Sequence, residues 1–117
     1  MFARMMGVAT ISPWRLHQKM RLGSVSVFDA NPRLSWLNGH LPGAVNVDPS
    51  EYPERDLPED KNTCVVFYCS GPWCGAGPYA ARRAKQMGYI NVCVLSNGIR
   101  GWLAAELPME QGGLTLS

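Results

Sequence analysis

Short runs of β-branched and aromatic residues alternate with helical stretches along this 117-residue chain. The clearest runs are bounded by Gly, Pro, Asn or Asp, which marks them as short buried strands. They are Val25–Phe28, Ala44–Val47, Cys64–Cys69 and Val92–Leu95. Strands that alternate with helices are joined by crossover connections, and this arrangement gives a parallel sheet. The sequence therefore predicts an α/β fold with helices on both faces of the sheet.

Helical patterns fill the intervals between the predicted strands. Ser12 is a typical N-cap residue, and Pro13 after it suits the first helical position. The predicted helices are Pro13–Met20, a short piece at Leu34–Leu37, Pro78–Met87 and Ile99–Ala105. The segment Pro49–Asn62 carries acids and prolines without a clear period, which predicts an exposed connection that can include a helical turn.

Length and composition fit one domain. A chain of 117 residues with 46% hydrophobic content can bury a core without disulfide bonds. We expect this domain at residues 1–110, and the polar, Gly-rich residues 111–117 are expected to form a frayed tail. The sequence is silent on the oligomeric state.

Charge and hydropathy argue against nucleic acid and membrane as partners. A formal net charge of +2 is far below the basic surface that binds phosphate backbones. The apolar runs are much shorter than the roughly 20 residues that span a bilayer. The first ten residues lack a sustained apolar core and a cleavage site, so no secretory signal is predicted. We expect reduced thiols and a cytoplasmic location, because the cysteine spacing matches no dense disulfide scaffold.

One cysteine ends the most apolar predicted strand and faces a loop that opens a helix. Cys69 is followed by the sequence Ser-Gly-Pro-Trp-Cys-Gly and then by the helical pattern from Pro78. If such a loop curls around the sulfur, backbone N–H groups and the helix dipole stabilise a thiolate. The thiolate is the nucleophilic form of cysteine, and the same cradle can hold a persulfide or an oxyanion. The pattern favours Cys69 as a nucleophile over an inert core cysteine.

Several separated motifs resemble those of the rhodanese-like domains, in the family's order. They are Asp29 at a strand end, Gly39-His40-Leu41-Pro42-Gly43-Ala44, Tyr68-Cys69, Gly88-Tyr89-Ile90-Asn91-Val92, Gly98-Ile99-Arg100-Gly101-Trp102 and Leu107-Pro108. The resemblance covers nearly the whole chain. It implies a five-stranded parallel sheet between helices. It also implies a cysteine that takes sulfur from a donor, classically thiosulfate, and passes it to cyanide or a thiol.

The resemblance also assigns roles to individual residues. Cys69 stands at the nucleophile position. The implied substrate-binding loop consists of Ser70, Gly71, Pro72, Trp73, Cys74 and Gly75. Asp29 and His40 are implied as structural supports rather than general bases. The implied partners are a small sulfur donor, thiosulfate or a persulfide, and a thiol acceptor.

The chain departs from the family where many members carry an arginine in the loop, because Ser70 and Cys74 occupy those positions. Anionic donors such as thiosulfate should bind more weakly unless Arg33 or Arg100 reaches in from a neighbouring loop, and the sequence leaves both arginines open. The loop length is also open, at six or about eight residues. A longer loop is typical of related phosphatases and arsenate reductases, but the arginine clamp of those enzymes is missing here.

Cys74 has two interpretations. It can pack beneath the loop at the start of the helix, which we favour, or it can approach Cys69 and resolve a persulfide or sulfenic acid into a disulfide. A zinc site would need two further ligands, and Cys64 and Cys93 are predicted core residues, so we predict no metal and no cofactor. Trp73 in mid-loop is a candidate to wall the pocket or to contact a protein.

Three functions are consistent with these features. The leading prediction is a sulfurtransferase that carries sulfane sulfur as a persulfide on Cys69. A non-catalytic rhodanese-like interaction module is the second, although such modules often lack the cysteine. A thiol–disulfide redox protein that uses Cys69 and Cys74 is the third.

Overall fold

The computed structural model of the protein describes Ala3 and residues 6–113. Five strands form one parallel sheet in the order β1-β5-β4-β2-β3. The strands are β1 (Ala9–Ile11), β2 (Ser26–Asp29), β3 (Val45–Asn46), β4 (Val65–Tyr68) and β5 (Val92–Leu95). The helices are α1 (Pro13–Arg21), α2 (Arg33–Asn38), α3 (Ala76–Gln86) and α4 (Gly98–Ala104), with a 3-10 turn at Glu54–Asp56. The predicted α/β fold with a five-stranded parallel sheet is confirmed.

The sheet has a hydrophobic core on each face. The central strand β4 is fully buried and alternates its side chains between the two cores. Val65 and Phe67 contribute to one core, and Val66 and Tyr68 contribute to the other. The helices meet these cores through Ala80, Ala81 and Ala84 of α3 on one face, and through Leu16 of α1 and Trp102 of α4 on the other. Helices thus cover both faces, as predicted.

The sequence pattern alone does not predict β1. This edge strand has three residues, and Ala9 and Thr10 are exposed, so no apolar run marks it. Its pairing with β5 depends on tertiary context. The other elements begin and end within one or two residues of the prediction. The start of α3 differs most, because Pro78 is accommodated in the first turn of the helix and Ala76 begins it.

The connection between β3 and β4 is partly buried, which corrects the prediction of an exposed segment. Tyr52 is 2% exposed, and its hydroxyl donates a hydrogen bond to the Ala80 carbonyl of α3 at 2.7 Å. Leu57 is buried in the same core. Arg83 of α3 lies over the Tyr52 ring, with 4.5 Å from its guanidinium carbon to the ring centroid. The connection therefore covers α3 and part of the core beside it.

The ends of the chain lie only partly within the described residues. The side chain of Gln111 and the N–H of Gly112 donate to the carbonyls of Asn38 and Leu37. The predicted frayed tail therefore does not include Gln111 and Gly112, and residues 114–117 lie outside the described part of the chain, as do residues 1, 2, 4 and 5. Within the described residues, no helix has the length and apolar character needed to cross a membrane.

A buried chain of hydrogen bonds joins the ends of β2 and β4. The Tyr68 hydroxyl donates to Asp29 Oδ2 at 2.6 Å and accepts from the Leu41 N–H at 3.0 Å. Asp29 Oδ1 accepts the Asn31 N–H at 2.7 Å. Burial raises the pKa of the Asp29 carboxyl despite the opposing effect of these bonds, and burial beside Asp29 also raises the pKa of Tyr68. Asp29 thus joins the end of β2 to the end of β4 through the Tyr68 hydroxyl.

Replacing Tyr68 by Phe should destabilise the fold. The change leaves the Leu41 N–H and the Asp29 carboxyl buried without the hydroxyl, and we expect a loss of about 2 to 3 kcal/mol in the free energy of unfolding. Urea denaturation measures this loss. Tyr79→Phe is the matched control, because Tyr79 is 48% exposed. An equal loss in both variants would contradict the role of the Tyr68 hydroxyl.

Candidate active site

Cys69 lies where β4 meets the N-terminus of α3. The residue directly follows β4 and is 3% exposed. Gly77, in the first turn of α3, donates its N–H to the Cys69 sulfur at 3.1 Å. First-turn N–H groups lack intrahelical acceptors and lie at the positive end of the helix dipole. The sulfur therefore occupies the strand-to-helix position that the sequence predicts for the nucleophile.

The N–H group that contacts the sulfur comes from the helix rather than from the predicted binding loop. Within that loop, the Cys74 N–H donates to the Gly71 carbonyl at 3.2 Å and closes a turn. Six residues, Ser70–Gly75, separate Cys69 from α3, and Gly75 is the N-cap residue of the helix. The loop thus has the shorter of the two lengths that the sequence allowed.

The sulfurs of Cys69 and Cys74 are bonded to each other as a disulfide, with 6.3 Å between their Cα atoms. The expectation that Cys74 packs alone beneath the loop is therefore corrected. The physical reason is the turn over residues 71–74, whose proline in the second position favours reversal of the chain and returns Cys74 to Cys69. Cys64 and Cys93 are free thiols, and burial raises the pKa of each.

The start of α4 supports the loop backbone. Gly98 has a φ of +57°, and a Cβ atom there would lie 2.5 Å from the Cys69 carbonyl oxygen and 2.8 Å from the Gly71 nitrogen. Ile99 donates its N–H to the same Cys69 carbonyl at 2.8 Å. Only glycine combines this backbone conformation with this close approach. The segment 98–102 therefore positions Cys69, the candidate nucleophile, through the backbone.

One of the two candidate arginines reaches the loop. The side chain of Arg100 lies against Gly71, where an added Cβ atom would meet Arg100 Cδ at 2.9 Å. Arg33 is exposed, and its guanidinium lies 6.0 Å from the centroid of the Trp36 ring. The proposed role of Arg33 at the loop is therefore not supported by its position. Arg100 is the cation beside the site.

A small cavity of about 70 Å³ lies beside the two sulfurs. Its polar lining includes Thr10, Ser96 and Asn97, and no charged residue lines it. Since one water occupies about 30 Å³ of liquid, the cavity has room for a sulfur atom beyond Cys69. Sequence reasoning missed these three residues, because Thr10 lies on the undetected strand β1 and the other two carry no catalytic motif. In the described residues, no cluster of three or more His, Cys, Asp and Glu could hold a metal.

The remaining predicted loop residues lie in different surroundings. Gly71 and Pro72 line the small cavity with the two cysteines. Ser70 is exposed and lines a separate open cleft of about 760 Å³ with residues of α2 and α4. Trp73 is 67% exposed, on the outside of the loop. The predicted loop thus borders two different spaces, the small cavity beside Cys69 and the open cleft beside Ser70.

His40 makes structural contacts with α2 and with the C-terminal segment. Its Nδ1 donates to the Trp36 carbonyl at 2.6 Å, and its ring stacks on Trp36 with 4.3 Å between centroids. Its Nε2 lies 3.5 Å from Glu110 Oε1, and the two residues exchange backbone hydrogen bonds. His40 therefore fastens the C-terminal segment to α2.

The chain belongs to the rhodanese-like domain family, whose model matches residues 12–105. It is 33% identical over 99 residues to the HTH-type transcriptional regulator Rv0324 of Mycobacterium tuberculosis, covering 83% of this chain and 42% of the regulator. It is 28% identical over 115 residues to 3-mercaptopyruvate sulfurtransferase of Escherichia coli, covering 82% and 41% of the two chains. The solved structure of thiosulfate sulfurtransferase from Pseudomonas aeruginosa matches with a TM-score of 0.75 and 26% identity, over 90% of this chain and 20% of that one. The chain thus spans less than half the length of each of these relatives.

Replacing Gly98 by Ala should damage the site and the fold together. The added methyl group collides with the Cys69 carbonyl in a left-handed backbone conformation, and we expect a loss of about 2 kcal/mol or more in the free energy of unfolding. Gly75→Ala is the matched control, since Gly75 has a φ of −91° and no atom within 4 Å of an added Cβ. Thermal and urea denaturation compare the two variants. Equal stability would show that the loop tolerates a side chain at residue 98.

Proposed function

We propose that the protein, with Cys69 reduced, is a sulfurtransferase that carries sulfane sulfur as a persulfide on this cysteine. The observation that carries the proposal is the hydrogen bond from the Gly77 N–H to the Cys69 sulfur at 3.1 Å. A sulfur at a helix N-terminus has the electrostatic setting that lowers a cysteine pKa and makes the thiolate available. Membership of the rhodanese-like domain family supports the same assignment.

In the first half-reaction, the Cys69 thiolate attacks the sulfane sulfur of the donor. With thiosulfate, a new bond forms between Cys69 Sγ and the sulfane sulfur, the bond within thiosulfate breaks, and sulfite leaves with the electron pair. The positive end of the α3 dipole favours the thiolate before the attack and the persulfide anion after it. The uncharged cavity beside Cys69 is the proposed position of the transferred sulfur.

In the second half-reaction, a thiolate acceptor attacks the outer sulfur of the persulfide. The sulfur moves to the acceptor, and Cys69 leaves as a thiolate that the Gly77 N–H again stabilises. The open cleft beside Ser70, with a volume of about 760 Å³, has room for a low-molecular-weight thiol. The proposed partners are therefore a small sulfur donor and a thiol acceptor, with neither nucleic acid nor membrane involved.

The disulfide between Cys69 and Cys74 has to be reduced before sulfur can be loaded, because it occupies the nucleophile. A reducing compartment keeps reducible cysteine pairs of this kind in the dithiol form. We therefore propose that the protein works in the cytoplasm.

Sulfur loading should require prior reduction. We expect the untreated disulfide form to release no sulfite from thiosulfate, whereas protein reduced with dithiothreitol and then desalted releases about one sulfite per chain. In reduced Cys74→Ser, which lacks the second loop thiol, the transferred sulfur should remain on Cys69 as a mass gain of one sulfur atom. Intact mass spectrometry and peptide mapping measure the gain. Cys69→Ser should gain nothing, and Cys93→Ser is the matched control that should load normally, because the raised pKa of Cys93 keeps this thiol protonated.

The same experiment separates the sulfurtransferase from a non-catalytic interaction module. A module would not gain sulfur from thiosulfate or from inorganic tetrasulfide in the reduced form. Absence of added sulfur in reduced Cys74→Ser from both donors would overturn the proposed function.

We further propose that Arg100 binds anionic donors, since its side chain lies against the loop at Gly71. Arg100→Gln should raise the KM for thiosulfate about tenfold, which corresponds to the loss of about 1.4 kcal/mol of binding, with a smaller effect on kcat. Arg82→Gln on the exposed side of α3 is the control and should change neither value. Steady-state kinetics test this. An unchanged KM in Arg100→Gln would leave donor binding to backbone N–H groups alone.

A further inference from the structure

We propose that Cys74 resolves the Cys69 persulfide within the same chain and so gives the protein a second activity, the reductive release of hydrogen sulfide. This inference rests on the proposed persulfide at Cys69. In this second activity the persulfide sulfur is released as sulfide, and the releasing step needs no external acceptor molecule.

The loop geometry brings the second sulfur to the right atom. The sulfurs of Cys69 and Cys74 lie within bonding contact, and the Cα atoms are 6.3 Å apart, inside the range that disulfides use. The turn closed by the Cys74 N–H and the Gly71 carbonyl holds this arrangement. The helix α3 starts normally at Ala76 with the bond in place. The fold therefore accommodates the product of the proposed step.

The step is a thiol–disulfide exchange on the inner sulfur of the persulfide. The Cys74 thiolate attacks Cys69 Sγ, a bond forms between the two cysteine sulfurs, and the bond from Cys69 Sγ to the outer sulfur breaks. The outer sulfur leaves with the electron pair as hydrosulfide and takes up the proton that Cys74 lost. The outer sulfur is reduced to the level of sulfide, and the two cysteines are oxidised to a disulfide, so the step balances without an external oxidant.

Two features of the site favour attack on the inner rather than the outer sulfur. Cys74 is held against Cys69 Sγ itself. The cavity of about 70 Å³ beside both cysteines, lined by the polar residues Thr10, Ser96 and Asn97, offers space for the leaving sulfur. Hydrosulfide is also a weaker base than an alkyl thiolate, which makes it the better leaving group.

The disulfide form of the protein is then the product of this step, and a dithiol reductant returns it to the starting dithiol. In the overall reaction, the donor supplies a sulfane sulfur, the dithiol reductant supplies two electrons, and the product is hydrogen sulfide. Cys64 and Cys93 take no part, because burial raises the pKa of both thiols.

A single-turnover experiment tests the step. The reduced, desalted 117-residue chain is mixed with thiosulfate without any added thiol, and sulfite, sulfide and the protein mass are followed over time. We expect about one sulfite and one sulfide per chain from the unmodified protein, which ends as the disulfide between Cys69 and Cys74. Cys74→Ser should form one sulfite and a stable persulfide, with at least tenfold less sulfide, and Cys93→Ser should match the unmodified protein.

The outcomes separate this step from the proposed function. In one outcome, Cys74→Ser gains sulfur, and the unmodified protein also keeps its persulfide and releases no sulfide. That outcome overturns only the role of Cys74. Sulfide release from Cys74→Ser at the rate of the unmodified protein also overturns the role of Cys74. A persulfide mapped to Cys74 overturns it as well, because that product indicates attack on the outer sulfur. If Cys74→Ser gains no sulfur from thiosulfate or from inorganic tetrasulfide, the proposed function and the resolving step both fail.

Discussion

The hydrogen bond between the Gly77 N–H and the Cys69 sulfur is the contact on which the site depends. It requires β4 to end at Tyr68, directly before Cys69, and α3 to begin at Ala76 after a six-residue loop, so that the helix N-terminus points at the sulfur. It also requires the helix to approach the strand end closely, because a Cβ atom at residue 77 would lie 3.3 Å from the backbone of Tyr68. The two cores fix the strand and the helix in this relation. The contact between Cys69 and α3 is therefore a consequence of how the sheet packs against this helix.

The central features of the fold and of the site are predictable from local sequence. Apolar runs bounded by turn residues mark four of the strands, and Cys69 at the end of the most apolar one is marked as the candidate nucleophile. These signals are local and strong because a central strand of a parallel sheet is buried on both faces. The motifs that resemble the family also predict that the sheet has five parallel strands between helices. By contrast, the short edge strand β1 carries no such signal, and Thr10 at the cavity is missed with it.

The pairing of Cys74 and the reach of Arg100 could not be predicted from the sequence for a different reason. The spacing of the two loop cysteines allows the second sulfur to point either beneath the loop or back at Cys69. The turn decides between them, and its conformation depends on how the loop rests on the start of α4. Likewise Arg33 and Arg100 both follow strand ends, and only the tertiary structure shows that Arg100 lies on Gly71 while Arg33 lies near Trp36.

Cys74 stands at a loop position where many family members carry an arginine, and this replacement has two consequences. A loop that lacks its own arginine has less fixed charge for an anionic donor, but it gains a thiol in contact with the nucleophile. In the proposed function, sulfur transfer to an external thiol and release of sulfide by Cys74 would compete for one persulfide. Reduction of the disulfide would control both proposed reactions, because Cys69 must be a thiolate before either can begin.

The most direct test of the account is the crystal structure of Cys74→Ser after soaking with thiosulfate. The account predicts one additional sulfur atom bonded to Cys69 Sγ, lying in the cavity beside Thr10, Ser96 and Asn97, with the Gly77 N–H still directed at the cysteine sulfur. An unmodified Cys69 in crystals whose loop is open to solvent, or added sulfur on Cys64 or Cys93 instead, would contradict it.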